Sequence, residues 1–544
     1  MQADLILLNG DIRTMDPARP RASALAVAQG RILALGADAD IRALARAGTR
    51  QVDAGGRLVL PGFQDAHVHL HSGGTDLATA AQLYDARDLR HLQAIIADHA
   101  QGAPDPPVVL GAGWQPGLFG DENLTRQVID AAIPERPALL FDSSYHNGCL
   151  NSAAIRAVGL TRDTADPVNG HFVRDAAGEP TGMLHEEAIA WAQARLPALT
   201  AAHQLLGVRA GQAHANRHGI TGIIDPRITD TEAQAYATLA ASDALTLRVS
   251  GAALVTEKDT SATAVERLSD LRRRHSGPDF WVQSAKFFLD GVFENRTAAL
   301  LAPYADPAGG NAGLMFDPDQ IAAMFAALDA ARFQIHVHVI GDRAARAALD
   351  GLAAALAANG RWPSLHQLAH LQLVDRADFA RIGALGAMAN IQPLWARYDP
   401  VIPVIALDMI GPGRLATTYA FRRMLDAGAG FCLSSDWPVS TLNPFEIIET
   451  AVTRQARQAD GPGAPFLPDQ ALTAHEAVRG YTTQAAAACW RGDITGRLLP
   501  GYSADLILLD QDIFACPPHQ ISATRVIMTL FKGREVHRAA DFAG

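Results

Sequence analysis

The sequence predicts an α/β fold, a (β/α)8 barrel of the TIM type, combined with a composite β-sandwich domain from both chain ends and an inserted lid subdomain. Three observations indicate this fold. Apolar runs alternate with alanine-rich stretches through the middle of the chain, the two ends share a strand-like segment, and a long insertion follows the first strand. Since 544 residues exceed one ordinary core, a second domain beside the barrel is expected.

The middle of the chain contains eight apolar runs of strand length. The first ends in His67 and His69, and the others cover residues 219–225, 247–254, 282–290, 333–340, 367–371, 387–392 and 430–436. Helix candidates lie at residues 200–217, 262–274, 318–331, 344–358 and 376–385. This alternation is typical of β-α units that close into a barrel, which we assign to residues 59–491. An all-parallel open sheet is the alternative.

The two chain ends carry nearly the same segment, ADLILLN at residues 3–9 and ADLILLD at residues 504–510. Further strand-like runs lie nearby, at residues 24–27, 31–35 and 526–530. We therefore predict that the ends pair in one β-sandwich domain formed by residues 1–58 and 492–544. Two unrelated edge strands are the alternative.

A long insertion at about residues 72–199 separates the first barrel strand from its helix. Loops of such length without structure are uncommon in compact domains, and this one carries its own strand-like runs at residues 108–111 and 138–142. It is therefore predicted to be a lid subdomain.

Composition excludes several kinds of partner. The formal net charge of −11 and the absence of a basic stripe argue against nucleic acid and against an anionic membrane surface. The four cysteines are far apart and form no Cys-x-x-Cys, so a disulfide framework or a thiolate zinc cluster is not expected. Without a basic, apolar leader or a run of membrane-spanning length, a cytoplasmic location is expected.

The carboxyl ends of the predicted barrel strands carry chemically active side chains. Strand side chains alternate between faces, so His67 and His69 would share a face and could hold one divalent cation. Further strand ends contribute Lys286, His338, His370 and Asp436. Each of these alone has an ordinary structural explanation. Because active sites of such barrels lie at these strand ends, the whole set favours one metal site.

These residues and the motifs around them resemble the metal-dependent amidohydrolase superfamily, and in particular its YtcJ-like branch, amidohydrolase family 3. The most specific passages are PGF at 61–63 before the two histidines, DG at 290–291, GDRA at 341–344, QP at 392–393 and SD at 435–436. The resemblance covers nearly the whole chain. It implies the sandwich beside the barrel and hydrolysis of an amide-like carbon–nitrogen bond, N-acyl or N-formyl, in a small molecule by a metal-activated hydroxide.

The resemblance also implies a ligand set. His67, His69 and Asp436 would hold one Zn²⁺-like ion, His338 and His370 a second, and Lys286, carboxylated by carbon dioxide, would bridge them. Asp436 would act as the base that moves a proton from the attacking water to the leaving nitrogen. One ion beside an unmodified Lys286 is the alternative.

The substrate pocket is predicted from aromatic and polar residues of the lid and the barrel loops. His146 is the candidate for orienting the carbonyl or stabilising the oxyanion. The other candidates are Trp114, Tyr145, Asn295, Arg296, Trp395 and Trp437. Two departures from the family pattern, Ala369 before His370 and the run GVFEN at 291–295, affect the expected substrate rather than the chemistry.

Two other functions compete with the amide hydrolase. A deaminase of an amino-heterocycle could use the same scaffold, and a non-catalytic binding protein would be expected to have lost ligands, of which none is missing. The expected partner is a small amide-like molecule, and a homodimer is allowed.

Overall fold

The computed structural model describes residues 2–102, 107–119, 124–398, 408–458, 461–542 and 544. The chain forms two compact units. The barrel unit comprises Met1–His69, Gln212–Asp436 and Thr441–Gly544, and the insertion unit comprises Leu70–Gly211 and Trp437–Ser440. A search of the described residues finds no helix with the length and hydropathy needed to span a membrane.

Eight parallel strands form a nearly closed barrel in the barrel unit. In chain order they are β1 (Phe63–Asp65), β2 (Ile220–Ile228), β3 (Arg248–Leu254), β4 (Phe280–Phe288), β5 (Gln334–Val339), β6 (Gln367–His370), β7 (Met388–Ile391) and β8 (Gly430–Leu433). Backbone bonds join the ends of β8 and β1, from Ala66 N to Leu433 O at 3.3 Å and from Asp436 N to His67 O at 2.9 Å. The predicted barrel is confirmed, and the open sheet is excluded.

Helices follow the barrel strands as the alternation predicts. Their bounds are Ala201–Arg217, Asp230–Ala241, Ser261–His275, Pro318–Ala330, Asp342–Asn359, Phe379–Ala384, Phe421–Asp426, Pro444–Thr453, Ala474–Arg479 and Ala485–Ala488. The predicted helix at 376–385 is shorter than expected, since its first part is the 3₁₀ turn Arg376–Asp378.

Both chain ends contribute to one six-stranded sheet. Its strands, in spatial order, are Arg534–Arg538, Val526–Phe531, Leu506–Leu509, Leu58–Pro61, Asp11–Arg13 and Arg21–Ala22. A second sheet has four strands, in spatial order Arg31–Gly36, Ala24–Ala28, Leu5–Leu8 and Arg50–Asp53. The short helix Asp38–Arg42 lies in the chain between Arg31–Gly36 and Arg50–Asp53.

The two nearly identical end segments do not pair with each other. Leu5–Leu8 pairs with Ala24–Ala28 and Arg50–Asp53, whereas Leu506–Leu509 pairs with Leu58–Pro61. Side chains from both sheets share one hydrophobic core. Each repeated segment thus joins a different sheet, and the predicted single sandwich domain stays a prediction. The division into domains at residues 58/59 and 491/492 stays a prediction.

The insertion unit has a core and a sheet of its own. The six strands, in spatial order, are Gly170–Arg174, Pro180–Glu186, Asn147–Leu150, Ala138–Asp142, Val109–Trp114 and Ala80–Gln82. Its helices are Leu70–Thr79, Leu89–Gly102, Arg126–Asp130, Ser152–Val158 and Glu187–Gln193. The predicted strand runs of the insertion lie within this sheet.

Candidate metal centre

The first barrel strand ends earlier than the sequence pattern predicts. Strand β1 ends at Asp65, so His67 and His69 lie beyond the strand and not on one strand face. Beyond the strand, the Asp65 carboxylate accepts the backbone N–H of the nearby His67 at 3.1 Å and that of Ser435, distant in sequence, at 3.1 Å. Burial raises the pKa of Asp65 to about 7. Asp65 thus ties the carboxyl ends of β1 and β8 together.

The segments that follow β1 and β8 nevertheless bring His67, His69 and Asp436 together. Asp436 Oδ1 lies 3.4 Å from His67 Nε2 and 3.3 Å from His69 Nε2. The ligand atoms of the three side chains all lie within 4.8 Å of one another, the one such group of His, Cys, Asp or Glu found among the described residues. His67 and Asp436 are buried, and the His69 side chain is 20% exposed.

This group fits a divalent cation. Asp436 Oδ1 is buried and accepts no hydrogen bond within the described chain, so it is an acceptor that lacks a donor. Two imidazole nitrogens and one carboxylate oxygen are ligand atoms that bind zinc well. Burial lowers the pKa of both histidines, which favours the neutral, ligating form.

Lys286 lies at the end of β4 and is completely buried. Its Nζ is 3.5 Å from His67 Nε2 and 4.5 Å from the centre of the Phe288 ring. Burial lowers its pKa to about 7, against the attraction of the Asp436 carboxylate. The amine is therefore largely neutral above that pH, and a neutral amine is the form that reacts with carbon dioxide.

His338 and His370 form a second pair, with ring centres 4.5 Å apart. His338 Nε2 lies 3.2 Å from Gly291 O, and since a carbonyl only accepts, the lone pair of this ring is on Nδ1. His370 Nδ1 lies 3.0 Å from Gln392 Oε1. Burial lowers the pKa of His370.

His336 is a member of the site that the sequence analysis missed. Its Nε2 lies 2.7 Å from His67 Nδ1, which leaves His67 Nε2 facing Asp436 and Lys286. His336 and His338 are two residues apart on β5, so strand alternation already predicts that both point to the same face. That signal is in the sequence, but only His338 was assigned.

The chain matches the model of the amidohydrolase family over residues 50–537. It belongs to this family. The predicted family membership is thereby confirmed.

Three curated relatives are similar to this amidohydrolase over most of their lengths. Protein LONG AFTER FAR-RED 3 of Arabidopsis thaliana is 28% identical and the match covers 98% of this chain and 92% of the relative. Putative amidohydrolase YtcJ of Bacillus subtilis is 27% identical, with 90% of each chain covered. N-substituted formamide deformylase of Arthrobacter pascens is also 27% identical, with 97% of each chain covered.

A solved structure supports the same fold. An uncharacterized metal-dependent hydrolase from Pyrococcus horikoshii is 22% identical and superposes with a TM-score of 0.77, over 94% of this chain and 99% of the other. At this identity the likeness concerns the fold alone.

Among the substrate candidates of the barrel unit, Trp395 contacts the candidate metal ligand His370. Its indole stacks on the His370 ring with centres 5.3 Å apart, and its Nε1 is buried and makes no hydrogen bond within the described chain. Arg296, in contrast, forms an ion pair with Asp306 at 2.5 Å and lies over the Tyr304 ring. It therefore holds its own loop, which also carries the partly buried Asn295.

The candidates of the insertion unit mostly have structural partners there. Trp114 is 2% exposed and belongs to a hydrophobic core, and Tyr145 donates a hydrogen bond to Asp76 at 2.8 Å. A Cβ atom on Gly73 would lie 2.5 Å from the Trp437 ring, so that indole packs on the helix. Their contact with substrate stays a prediction.

His146 of the insertion unit is partly exposed, with 23% of its side chain accessible. Its Nδ1 lies 2.8 Å from Glu186 Oε2, a partner that the sequence analysis did not assign to it. A carboxylate at Nδ1 favours a proton there and leaves Nε2 to act as base or acceptor.

Proposed function

We propose that the protein is a metal-dependent hydrolase that cleaves an amide-like carbon–nitrogen bond, N-acyl or N-formyl, in a small molecule. The observation that carries this proposal is the group of His67, His69 and Asp436 at the carboxyl ends of β1 and β8, with an acceptor oxygen that lacks a donor. Membership of the amidohydrolase family and the similarity to a formamide deformylase support it.

We assign the first ion to His67, His69 and Asp436, and a second to His338 and His370. A carboxylated Lys286 is the proposed bridge, because its buried amine has a lowered pKa and lies beside His67. When bound, such ions acidify a water and polarise a carbonyl. Zinc is the proposed metal, since imidazole and carboxylate are donors that suit it.

The chain's own groups supply the proton transfer. Asp436 Oδ2 lies 3.9 Å from His370 Nδ1, and Oδ1 faces His67 and His69. A carboxylate in this position can take a proton from the attacking water and give it to the leaving nitrogen. His146, held by Glu186, is the second proposed catalytic group, and it would orient the substrate carbonyl.

Several further assignments belong to the same proposal. Residues of about 72–199 would form a lid subdomain, and the segments 1–58 and 492–544 would form one sandwich domain. A small amide is the proposed partner, with Trp395 contacting its substituent and Trp114, Tyr145, Asn295, Arg296 and Trp437 as further candidates. A cytoplasmic location is proposed, and a homodimer stays allowed.

An activity screen tests the proposal. Zinc-loaded protein and protein treated with a chelator are compared on N-formyl amines, N-acetyl amines, larger N-acyl amines and amino-heterocycles. We expect metal-dependent release of amine from one of the amides. Release of ammonia from a heterocycle without amide cleavage would replace this function by a deaminase, and binding without turnover of any compound would indicate a binding protein.

A further inference from the structure

A row of buried polar side chains runs through the barrel interior beneath His370, where apolar residues would ordinarily fill the space. Its members are Gln392, Asn390, Ser434 and Gln367, each at most 1% exposed. A barrel interior is a packed core, and a buried polar group is costly unless its hydrogen bonds are made. The row therefore needs an explanation beyond packing.

The direction of every hydrogen bond in this row can be worked out from one backbone carbonyl. Asn390 Nδ2 lies 2.8 Å from Ala66 O, an atom that only accepts, so the amide nitrogen must face it. The same nitrogen donates to Gln367 Oε1 at 2.7 Å. Asn390 Oδ1 consequently faces the opposite way, toward Ser434 and Gln392.

The next bonds lead to the metal ligand. Ser434 Oγ donates to Asn390 Oδ1 at 2.5 Å, so its lone pairs accept from Gln392 Nε2 at 2.7 Å. With Gln392 Nε2 engaged there, Gln392 Oε1 is the atom that meets His370 Nδ1 at 3.0 Å. An amide oxygen only accepts, and His370 Nδ1 must therefore carry the proton.

We propose that Asn390, Ser434 and Gln392 form a positioning relay that fixes the proton of His370 on Nδ1 and so reserves Nε2 as the metal-binding atom. The proposal rests on the proposed function, since it assumes that His370 is a ligand. None of the three residues touches the reacting atoms in this account, and they act through His370.

Gln392 is not the only hydrogen-bond acceptor close to His370 Nδ1 among the described residues. Asp436 Oδ2 lies 3.9 Å from His370 Nδ1 and is a second acceptor near that nitrogen. Without Gln392, the ring could turn toward Asp436 and draw this carboxylate away from His67 and His69. Trp395 fixes the plane of the His370 ring by stacking, but stacking does not distinguish the two nitrogens. The hydrogen bond to Gln392 supplies that distinction.

Two substitutions of Gln392 separate this role from mere packing. Gln392→Met keeps the approximate volume and removes the acceptor, whereas Gln392→Glu keeps an acceptor for His370. Gln283→Met is the matched control, because Gln283 is equally buried in the barrel and bonds to Gln334 and Ala488 O, away from His370. Thermal unfolding of all three variants shows whether each folds.

The first readout is zinc affinity, measured by competition with a chelating dye. Loss of an outer-sphere partner of a ligating histidine lowers metal affinity about 10- to 100-fold. We expect a loss of this size for the weaker ion in Gln392→Met, and near wild-type affinity in Gln392→Glu and Gln283→Met. Equal losses in the Met and Glu variants, or no loss in Gln392→Met, would overturn the relay.

The second readout uses metal-free protein labelled with ¹⁵N-histidine. Two-bond ¹H–¹⁵N spectra distinguish a ring protonated on Nδ1 from one protonated on Nε2, and a His370→Gln variant identifies the resonance. We expect the Nδ1–H pattern in the wild type and its loss in Gln392→Met. An Nε2–H pattern in the wild type would overturn the relay. Because no metal is present, this result is independent of the proposed function, which would instead fail if the wild type bound no metal.

Discussion

Two of the candidate ligands, His370 and Asp436, have backbone conformations that residues other than glycine rarely adopt. Their φ angles are 79° and 56°, in the left-handed region. Such conformations cost about 1–3 kcal/mol each and persist where the surroundings impose them, often at functional sites. Here Gln392 bonds to His370, and the backbone N–H of Asp436 donates to His67 O. These hydrogen bonds help to hold the two residues in their unusual conformations.

Lys286 allows a direct test of the bridging role. If Lys286 carries the proposed bridging carbamate, Lys286→Ala should lose most of the metal that the wild type binds, and a short carboxylic acid in solution should restore part of it. Metal content is measured by mass spectrometry after gel filtration, with the surface variant Lys258→Ala as control. Full metal content and full activity in Lys286→Ala would dismiss the bridge.

The buried carboxyl group of Asp76, in the insertion unit, should make the stability of the folded protein depend on pH. Burial raises its pKa to about 7 while it accepts a hydrogen bond from Tyr145. Because the folded pKa exceeds the ordinary value of 3.8, the folded state binds the proton more tightly, and stability falls as pH rises from about 4 to about 7.

Asp76→Asn removes this titration and keeps an acceptor for Tyr145. Relative to the wild type, its thermal midpoint should increase by roughly 2 °C or more between pH 5 and pH 8. Calorimetric scans of both proteins at the two pH values measure this. A midpoint difference that is the same at both pH values would show that the carboxyl group is not buried as described.

The first barrel strand depends on a close approach between neighbouring elements. A Cβ atom on Gly62 would lie 2.4 Å from Thr221 Oγ1 and 2.6 Å from its Cγ2 on β2. Gly62→Ala should therefore destabilise the protein by about 1–3 kcal/mol, the usual cost of overpacking. Chemical unfolding measures the change.

Two further variants give this prediction its controls. Gly413→Ala introduces the same methyl group where nothing lies within 4 Å, and it should have little effect. Adding Thr221→Ala to Gly62→Ala removes the clashing atoms and should recover part of the lost stability. If Gly62→Ala were as stable as Gly413→Ala, the described packing of β1 on β2 would be wrong.

The sequence predicts the elements of this fold better than their pairing. The barrel strands follow from apolar runs, whose lengths and spacing are local properties. The partners of Leu5–Leu8 and Leu506–Leu509 do not, because two nearly identical segments carry no signal that assigns them to different sheets. The end of β1 was also missed, since it depends on Asp65 bonding to Ser435, a residue distant in sequence.

The candidate ligands could be proposed from the sequence because they lie at or just beyond strand ends in a recognisable order. The contacts that these ligands make with neighbouring side chains could not be predicted. The contact of His336 with His67 and the stacking of Trp395 on His370 depend on how strands and loops meet in space. The same is true of Gln392, whose role requires the positions of Ser434 and Asn390.

The molecule as a whole joins its two ends in one sheet, and this predicts that the last segment is needed for folding. Leu506–Leu509 lies between Leu58–Pro61 and Val526–Phe531, and Leu506, Leu508 and Met528 are completely buried. A chain that ends at residue 500 should expose this core and fail to fold. Expression, gel filtration and circular dichroism test this, and a monomeric, cooperatively unfolding product would contradict the described sheet.

The turnover of Asp436→Asn at measured metal content tests whether the protein is a hydrolase with Asp436 as its proton carrier. Asparagine keeps the shape of the side chain and an oxygen for the metal but cannot accept the proton. We expect nearly normal metal content with turnover lowered by roughly 10²-fold or more, the usual scale of general acid–base catalysis. Near-normal turnover with metal bound would show that Asp436 is not the proton carrier.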